Sequence, residues 1–190
     1  MAIEITDAQI AAIASPVRPK LGAHQVAAAL TVAFNEWEID TPRRAAAAIA
    51  QLAHESDCFC TTREYADGSA YEGRKDLGNT EPGDGRRFRG RGLIQITGRS
   101  NYAAAGQAFG LDLVAHPEQL EDLANAAIVS AWWWKEHGLN ELADLGEGMA
   151  AYRGRAMPAF EAITRIINGG TTHLDQRQAL WLRARRVMGA

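Results

Sequence analysis

The sequence predicts a mainly α-helical fold that is interrupted by one long glycine-rich segment. Hydrophobic residues make up 47% of the 190 residues, and many of them are alanines in segments with a helical period. Residues typical of helix N-termini precede several of these segments. Between 57 and 98 no helical period persists, and glycine recurs throughout. We expect a chain of this length to form one domain, 1–190.

Two helices are predicted near the N-terminus. Thr6 and Gln9 have the spacing of a capping box, so a short helix should begin there and run to about Ala14. Pro16 follows and breaks the helix. A second helix is predicted over Ala23 to Trp37.

The third predicted helix ends at a candidate catalytic group. Thr41 is a typical N-cap residue and Pro42 fits the first helical position, so an alanine-rich helix should run from there to His54 or Glu55. At that helix C-terminus the negative end of the helix dipole disfavours a carboxylate, and burial would disfavour it further. Both effects favour the protonated acid at Glu55.

The segment 57–98 is predicted to be a long loop region that could contain a small hairpin. Loops of this length within a domain are uncommon and are usually functional. Near its end, Gln95 and Thr97 alternate with Ile94 and Ile96, which predicts a short strand with one buried apolar face. The amide and the hydroxyl could orient a water molecule or a sugar hydroxyl, or could simply face bulk solvent.

Four further helices are predicted in the second half of the chain. They cover Asn101 to Phe109, Pro117 to His137, Pro158 to Ile167 and Leu174 to Val187. Trp132-Trp133-Trp134 lies in the second of these helices, where consecutive residues point about 100° apart. The three rings therefore cannot form one sugar-binding platform, and we expect them to pack in the core.

Charge and cysteine content exclude several classes of protein. The formal net charge of −3 argues against a nucleic-acid-binding protein. There is no apolar stretch of about 18 residues that would predict membrane insertion. The acidic residues near the start do not resemble a secretory signal. Cys58 and Cys60 are expected to be reduced thiols, and no fourth ligand accompanies them and His54 to predict a metal site.

Two glutamates nine residues apart, Glu55 and Glu64, form a candidate acid/base pair. Hydrolysis of a glycosidic bond needs one carboxylic acid and one carboxylate on opposite sides of the sugar. A separation of about 6.5 to 9.5 Å would indicate inversion, and about 5 to 5.5 Å retention. Taken alone, such a spacing is more typical of ordinary surface residues. The polar loop that follows is what supports a catalytic role for the pair. Aromatic side chains that could stack on sugar rings are Tyr65, Tyr71, Phe88, Tyr102 and Tyr152.

A set of motifs in a consistent order carries a family resemblance. They are Ala53-His54-Glu55-Ser56, Arg63-Glu64-Tyr65, Tyr71-Glu72-Gly73-Arg74, Leu77-Gly78-Asn79-Thr80, Gly83-Asp84-Gly85, the run Phe88 to Thr97, Asn101-Tyr102, Ile163-Thr164 and Ile167-Asn168-Gly169-Gly170. Together they make the chain resemble glycoside hydrolase family 19. This group contains chitinases and the compact lysozyme-like endolysins of phages and prophages.

The resemblance implies a two-lobed, mainly α-helical, lysozyme-like fold with the cleft between the lobes, and an inverting mechanism that needs no metal or organic cofactor. It implies that Glu55 is the general acid, that Glu64 is the general base, and that Thr97 helps to hold the attacking water. Arg177 matches a family arginine that pairs with the catalytic carboxylates. The candidate substrate-binding residues are His54, Tyr65, Gln95, Asn101, Asn168 and Arg177.

Departures from the family pattern narrow the expectation. The chain lacks the cysteine-rich chitin-binding module, the disulfides and the signal typical of plant members, and its segment between the two glutamates is short. It is more similar to phage-type enzymes that cleave the bond between N-acetylmuramic acid and N-acetylglucosamine in peptidoglycan. The short segment leaves the base open, and Glu72, Asp76 or Asp84 could replace Glu64.

Several alternatives stay open at the level of sequence. A chitinase would use the same acid and base on N-acetylglucosamine polymers or chitin oligosaccharides. A lytic transglycosylase would need one acid and would tolerate loss of Glu64, and a non-catalytic wall-binding protein would need neither. If the protein cleaves peptidoglycan, we expect a monomer that is made in the bacterial host cytoplasm without a signal peptide. It would act at the cell wall after a separate pore-forming partner releases it.

Overall fold

The computed structural model describes residues 2–190 and begins with three helices, as the sequence predicts. They are α1 (Asp7–Ala14), α2 (Ala23–Glu36) and α3 (Pro42–Glu55). Thr6 Oγ1 accepts a hydrogen bond from the Gln9 amide at 3.2 Å, and Gln9 Oε1 accepts one from the Thr6 amide at 2.9 Å, so the capping box is confirmed. Thr41 caps α3 in the predicted way.

Helix α3 lies at the centre of the core. All its residues from 45 to 53 are buried, mostly alanines that let other helices approach closely. It packs along α9 (Leu174–Met188), while α1 contacts both α2 and α9. One hydrophobic cluster joins residues from Ile5 to Ala184. The end of α3 is therefore held rigidly, which matters because Glu55 is its last residue.

The glycine-rich segment is irregular, as predicted, but its local structure differs from the expectation. It contains short 3-10 turns at Ser69–Tyr71 and Lys75–Leu77 and the four-residue helix α4 (Asp84–Arg87). The predicted strand around Gln95 is wrong: this stretch is a turn, and Gln95 has a φ of 59°. In place of the small hairpin expected here, the segment has isolated bridges that pair Arg91 with 63 and 96.

The next part of the chain contains α5 (Arg99–Phe109), a 3-10 helix (Pro117–Glu121) and α6 (Leu123–Glu136). The single helix predicted from Pro117 to His137 is thus divided. Asp122 causes the division because its side chain accepts hydrogen bonds from the amides of residues 124 and 125 and so starts a new helix.

The chain ends with two short elements that the sequence did not predict and two helices that it did. Helix α7 (Leu139–Asp144) and the hairpin of β1 (Met149–Tyr152) and β2 (Arg155–Pro158) are too short to show a clear period. Helices α8 (Ala159–Asn168) and α9 confirm the predicted pair. Within residues 2–190, no helix is long and apolar enough to span a membrane.

Candidate active site

A cleft of about 600 Å³ lies where the ends of α3 and α8 approach the glycine-rich segment. Most of the residues predicted for the site come together here, although they lie in separate elements. The cleft is lined by His54, Glu55, Asp57, Thr61, Glu64, Tyr65, Tyr71, Ile94, Gln95, Thr97, Ile167 and Asn168. It separates the helical body from the glycine-rich segment, which agrees with a two-lobed arrangement.

The chain reverses sharply after Glu55 through a left-handed turn. The φ angles of Asp57, Cys58 and Phe59 are 52°, 53° and 61°, values that cost about 1–2 kcal/mol per residue for non-glycine side chains. The turn is held by Ser56, which is buried, donates to the Leu52 carbonyl at 2.7 Å and accepts from the Phe59 amide at 3.1 Å. This strained turn brings Asp57 to the cleft directly after Glu55.

Arg177 forms an ion pair with Glu55, as the resemblance implies. Its Nη2 lies 2.6 Å from Glu55 Oε1, and the two side chains are 1% and 16% exposed. Arg177 was also predicted among the substrate-binding residues, but it does not line the cleft. The guanidinium is buried, donates to Gln51 of α3 and to the Thr172 carbonyl, and lines no part of the cleft, so it acts on the carboxylate from behind. Sequence could not distinguish these two positions.

Glu64 is held on the glycine-rich side of the cleft by a phenol. Tyr71 donates its hydroxyl to Glu64 Oε2 at 3.0 Å, and the Glu64 amide donates to the Gly90 carbonyl at 3.0 Å. Burial and the nearby Glu64 charge raise the pKa of Tyr71, so the phenol stays a donor. The two candidate carboxylates therefore have different partners, a buried cation for Glu55 and a neutral hydroxyl for Glu64.

Gly90 brings the remaining polar groups close to Glu64. A Cβ at this position would lie 2.7 Å from Gln95 Oε1, 2.8 Å from Glu64 Oε2 and 3.4 Å from Thr97 Oγ1. Three polar side chains, one from before Gly90 in the chain and two from shortly after it, thus converge on a residue that has no side chain. Thr97 donates to the Gln95 carbonyl at 2.9 Å, which fixes its hydroxyl beside the carboxylate.

The other carboxylates considered as the base do not line the cleft. The Glu72 carboxylate accepts hydrogen bonds from the amides of Gly83 and Gly85 at 2.7 and 2.8 Å and so closes a loop. Asp76 is paired with its neighbour Arg74. Asp84 is buried and forms a two-pronged ion pair with Arg99 at 2.8 and 2.5 Å. Because these three groups have structural partners away from the cleft, they are not base candidates.

One end of the cleft is formed by His54, Asp57 and Tyr65. Burial, followed by the charges of Arg177 and His173, lowers the pKa of His54 to about 4, so its ring is neutral near pH 7. The Tyr65 hydroxyl donates to Asp57 Oδ2 at 2.8 Å, and its ring is 75% exposed at the cleft margin. Asp57 was missed by the sequence analysis, although its position two residues after Glu55 was a usable signal.

The cleft continues into a second cavity of about 290 Å³, which shares Tyr71, Ile94, Gln95, Thr97, Ile167 and Asn168 with the first. Asn101 lies here and donates to the Thr97 carbonyl at 2.8 Å. Trp134 is buried as predicted, and Trp132 and Trp133 pack against the core with their side chains partly buried. Trp133 also lines this part of the cleft.

The remaining aromatic candidates do not reach the cleft. Phe88 and Tyr102 are fully buried, and Tyr152 lies in β1. The thiols of Cys58 and Cys60 are free. Among residues 2–190 there is no cluster of three or more His, Cys, Asp or Glu that could hold a metal ion.

Known proteins share this fold and sequence pattern. The family model described as chitinase class I, glycoside hydrolase family 19, matches residues 23–180. A glycosyl hydrolase family 19 domain-containing protein of Haemophilus influenzae is 38% identical over 112 residues, which are 58% of this chain and 48% of that protein. An endochitinase of Arabidopsis thaliana is 35% identical over 128 residues, 67% of this chain and 40% of that protein. The chain therefore spans less than half the length of these two relatives.

A solved structure supports the same architecture. Chitinase C from Streptomyces griseus matches 100% of this chain and 78% of its own with a TM-score of 0.72 at 19% identity. This similarity confirms the predicted mainly helical, lysozyme-like fold.

Proposed function

The chain belongs to the chitinase class I family, glycoside hydrolase family 19, and we propose that it hydrolyses β-1,4 bonds in the glycan strand of peptidoglycan. The observation that carries the proposal is one cleft containing two carboxylates in different environments. Glu55 lies at a helix C-terminus in front of a buried arginine, and Glu64 lies under a tyrosine hydroxyl. The two carboxylates reach one cleft from separate elements, which fits an acid and a base acting on opposite sides of a sugar.

In the proposed reaction, Glu55 is the general acid. Its proton passes to the glycosidic oxygen as the bond from that oxygen to the anomeric carbon breaks. The electron pair of the broken bond stays on the leaving oxygen, and Glu55 becomes a carboxylate. Arg177, 2.6 Å behind it, stabilises this negative charge.

Glu64 is the general base. It accepts a proton from a water molecule whose oxygen forms the new bond to the anomeric carbon from the opposite face, so the configuration inverts. Tyr71 holds one carboxylate oxygen, and the Thr97 hydroxyl and the Gln95 amide beside Gly90 are placed to orient the water. Glu64 then releases its proton to solvent and Glu55 takes one up from solvent, which restores the starting state.

The shape of the cleft favours a branched glycan. The segment between Glu55 and Glu64 is short, and Tyr65, which lines the cleft, is 75% exposed. Peptidoglycan needs an open cleft because every second sugar carries a peptide. Chitin is the second candidate substrate, since the Arabidopsis relative and the Streptomyces structure are named as chitinases.

The deciding experiment is mass spectrometry of products released from purified peptidoglycan by the wild type, Glu55→Gln and Glu64→Gln. Reducing-end muropeptides that appear with the wild type and disappear with both variants would support the proposal and show which bond is cut. Anhydro-sugar products that survive Glu64→Gln would indicate a transglycosylase. Release of sugars only from chitin oligosaccharides would show that the substrate is chitin and not peptidoglycan.

A further inference from the structure

A continuous chain of buried polar groups connects the candidate acid to the core. Arg177 Nη1 donates to Gln51 Oε1 at 2.7 Å, and Gln51 Nε2 donates to Thr164 Oγ1 at 2.8 Å. Thr164 in turn donates to the Phe160 carbonyl at 3.0 Å. The side chains of Arg177, Gln51 and Thr164 are all at most 1% exposed. This series of hydrogen bonds links α9, α3 and α8.

The chemistry of the groups fixes the direction of every hydrogen bond. An arginine has only donors, so Gln51 must present its oxygen to Arg177. The Gln51 amide nitrogen then faces Thr164, whose hydroxyl accepts this bond and sends its own proton to the backbone. Because each bond orients the next, the chain holds Arg177 in one position.

We propose that Gln51 is a positioning residue for the general acid: a neutral acceptor that keeps Arg177 in place whether Glu55 is ionised or protonated. This inference rests on the proposed role of Glu55. Gln51 touches neither the cleft nor the substrate region, and it acts through Arg177.

A neutral partner matters because Arg177 stays charged while Glu55 changes its charge during turnover. Among residues 2–190, Glu55 is the one carboxylate that pairs with Arg177. When Glu55 holds its proton, the buried guanidinium retains two oxygen acceptors, Gln51 Oε1 and the Thr172 carbonyl at 3.3 Å from Nε. These dipoles reduce the cost of a buried cation without a counter-ion.

A carboxylate at position 51 would act differently from a neutral amide. It would pair with Arg177 itself, weaken the attraction of Arg177 for Glu55, and repel the Glu55 charge one helical turn away. Removal of the acceptor would have the opposite effect, because Arg177 would then rely more strongly on the Glu55 carboxylate.

The test is the pH dependence of kcat/KM, whose alkaline limb reports loss of the proton from the acid. We expect Gln51→Glu to move this limb up by about one pH unit. We expect Gln51→Met to move it down and to lower kcat about tenfold, because the guanidinium loses a hydrogen bond. Shifts of opposite sign are not expected from a purely structural role, since two destabilising variants would impair activity alike.

Two further sets of variants separate positioning from stability. Thr164→Val should resemble Gln51→Met, and Thr164→Ser should restore the wild-type profile because it keeps the hydroxyl. Asn140→Leu is the matched control: Asn140 is also a fully buried amide, bonded to Trp134 Nε1 at 3.0 Å, but it lies outside the cleft. It should lower the melting temperature and leave the pH profile unchanged.

The outcomes distinguish this inference from the proposed function. If Glu55→Gln is inactive but the folded Gln51 and Thr164 variants keep the wild-type alkaline limb, the inference is wrong and the acid assignment stands. If Glu55→Gln keeps wild-type activity, the acid assignment itself fails and the inference fails with it. If Gln51→Glu does not fold, the inference is tested by the direction in which Gln51→Met and the two Thr164 variants shift the alkaline limb of the kcat/KM profile.

Discussion

Tyr71 donates its hydroxyl to Glu64 Oε2 at 3.0 Å and thereby sets the position of the candidate base. The bond connects a 3-10 turn of the glycine-rich segment to a residue seven positions earlier. Glu55 is positioned in a different way, by the helix that ends there and by a buried arginine. The acid is therefore fixed by the core of the protein, and the base by the loop itself.

Tyr71→Phe should lower kcat/KM by about tenfold to a hundredfold, because the variant removes a hydrogen bond to a charged group. The ring remains, so the loop should keep its packing and the melting temperature should change little. Initial rates of reducing-end release and a thermal scan measure the two effects. Tyr65→Phe is the matched control, since its hydroxyl bonds to Asp57 and not to Glu64. Equal losses in the two variants would contradict a specific role for Tyr71.

Gly90→Ala should lower kcat on the order of a hundredfold, because the new methyl group would displace Glu64 and Gln95 from their positions 2.8 and 2.7 Å away. Gly148→Ala provides a comparison outside the cleft, where the Cβ would meet the Leu145 carbonyl at 2.9 Å. It should lower stability by about 1–3 kcal/mol and leave kcat unchanged. Rates measured below both melting temperatures test this contrast. Wild-type kcat for Gly90→Ala would show that the site tolerates the displacement.

The sequence predicted the helices well where capping residues mark their starts. Thr6 and Thr41 marked the starts of α1 and α3, and the extent of α3 placed Glu55 at a helix end. The apolar period predicted α8 and α9. These signals are local, so they can be read without the fold.

The arrangement of the loop could not be predicted in the same way. Alternating residues suggested a strand at Gln95, but this residue adopts a left-handed conformation that alternation does not reveal. The convergence of Glu64, Gln95 and Thr97 on Gly90 depends on how distant parts of the segment approach each other. Likewise, only the tertiary structure shows that Arg177 lies behind the cleft and that Trp133 lines it.

Asp84→Asn should lower the free energy of unfolding at pH 7 by about 2 kcal/mol, because the variant weakens charged hydrogen bonds in a buried site. Arg99, together with the amides of Thr80 and Glu81, holds the pKa of Asp84 below its ordinary value. The unfolded chain therefore takes up this proton first as the pH falls, and the stabilisation is present above about pH 3.9 and is lost below it.

Melting temperatures of the wild type and Asp84→Asn between pH 7 and pH 2.5 test this window. The difference between the two proteins should be constant from pH 7 to about pH 4 and should narrow at lower pH. A difference that does not depend on pH would mean that the ion pair with Arg99 is not the source of the stabilisation.

His54 should reduce stability in a separate and higher pH window. Its pKa is lowered from 6.5 to about 4, first by burial and then by Arg177 and His173. Between these two values the unfolded chain binds a proton that the folded protein does not, so stability should fall as the pH drops from about 6.5 to about 4. His54→Gln cannot bind this proton and should lose less stability over the same range. An NMR titration of the wild type should place the His54 midpoint near pH 4, and a midpoint near 6.5 would contradict a half-buried ring in the field of Arg177.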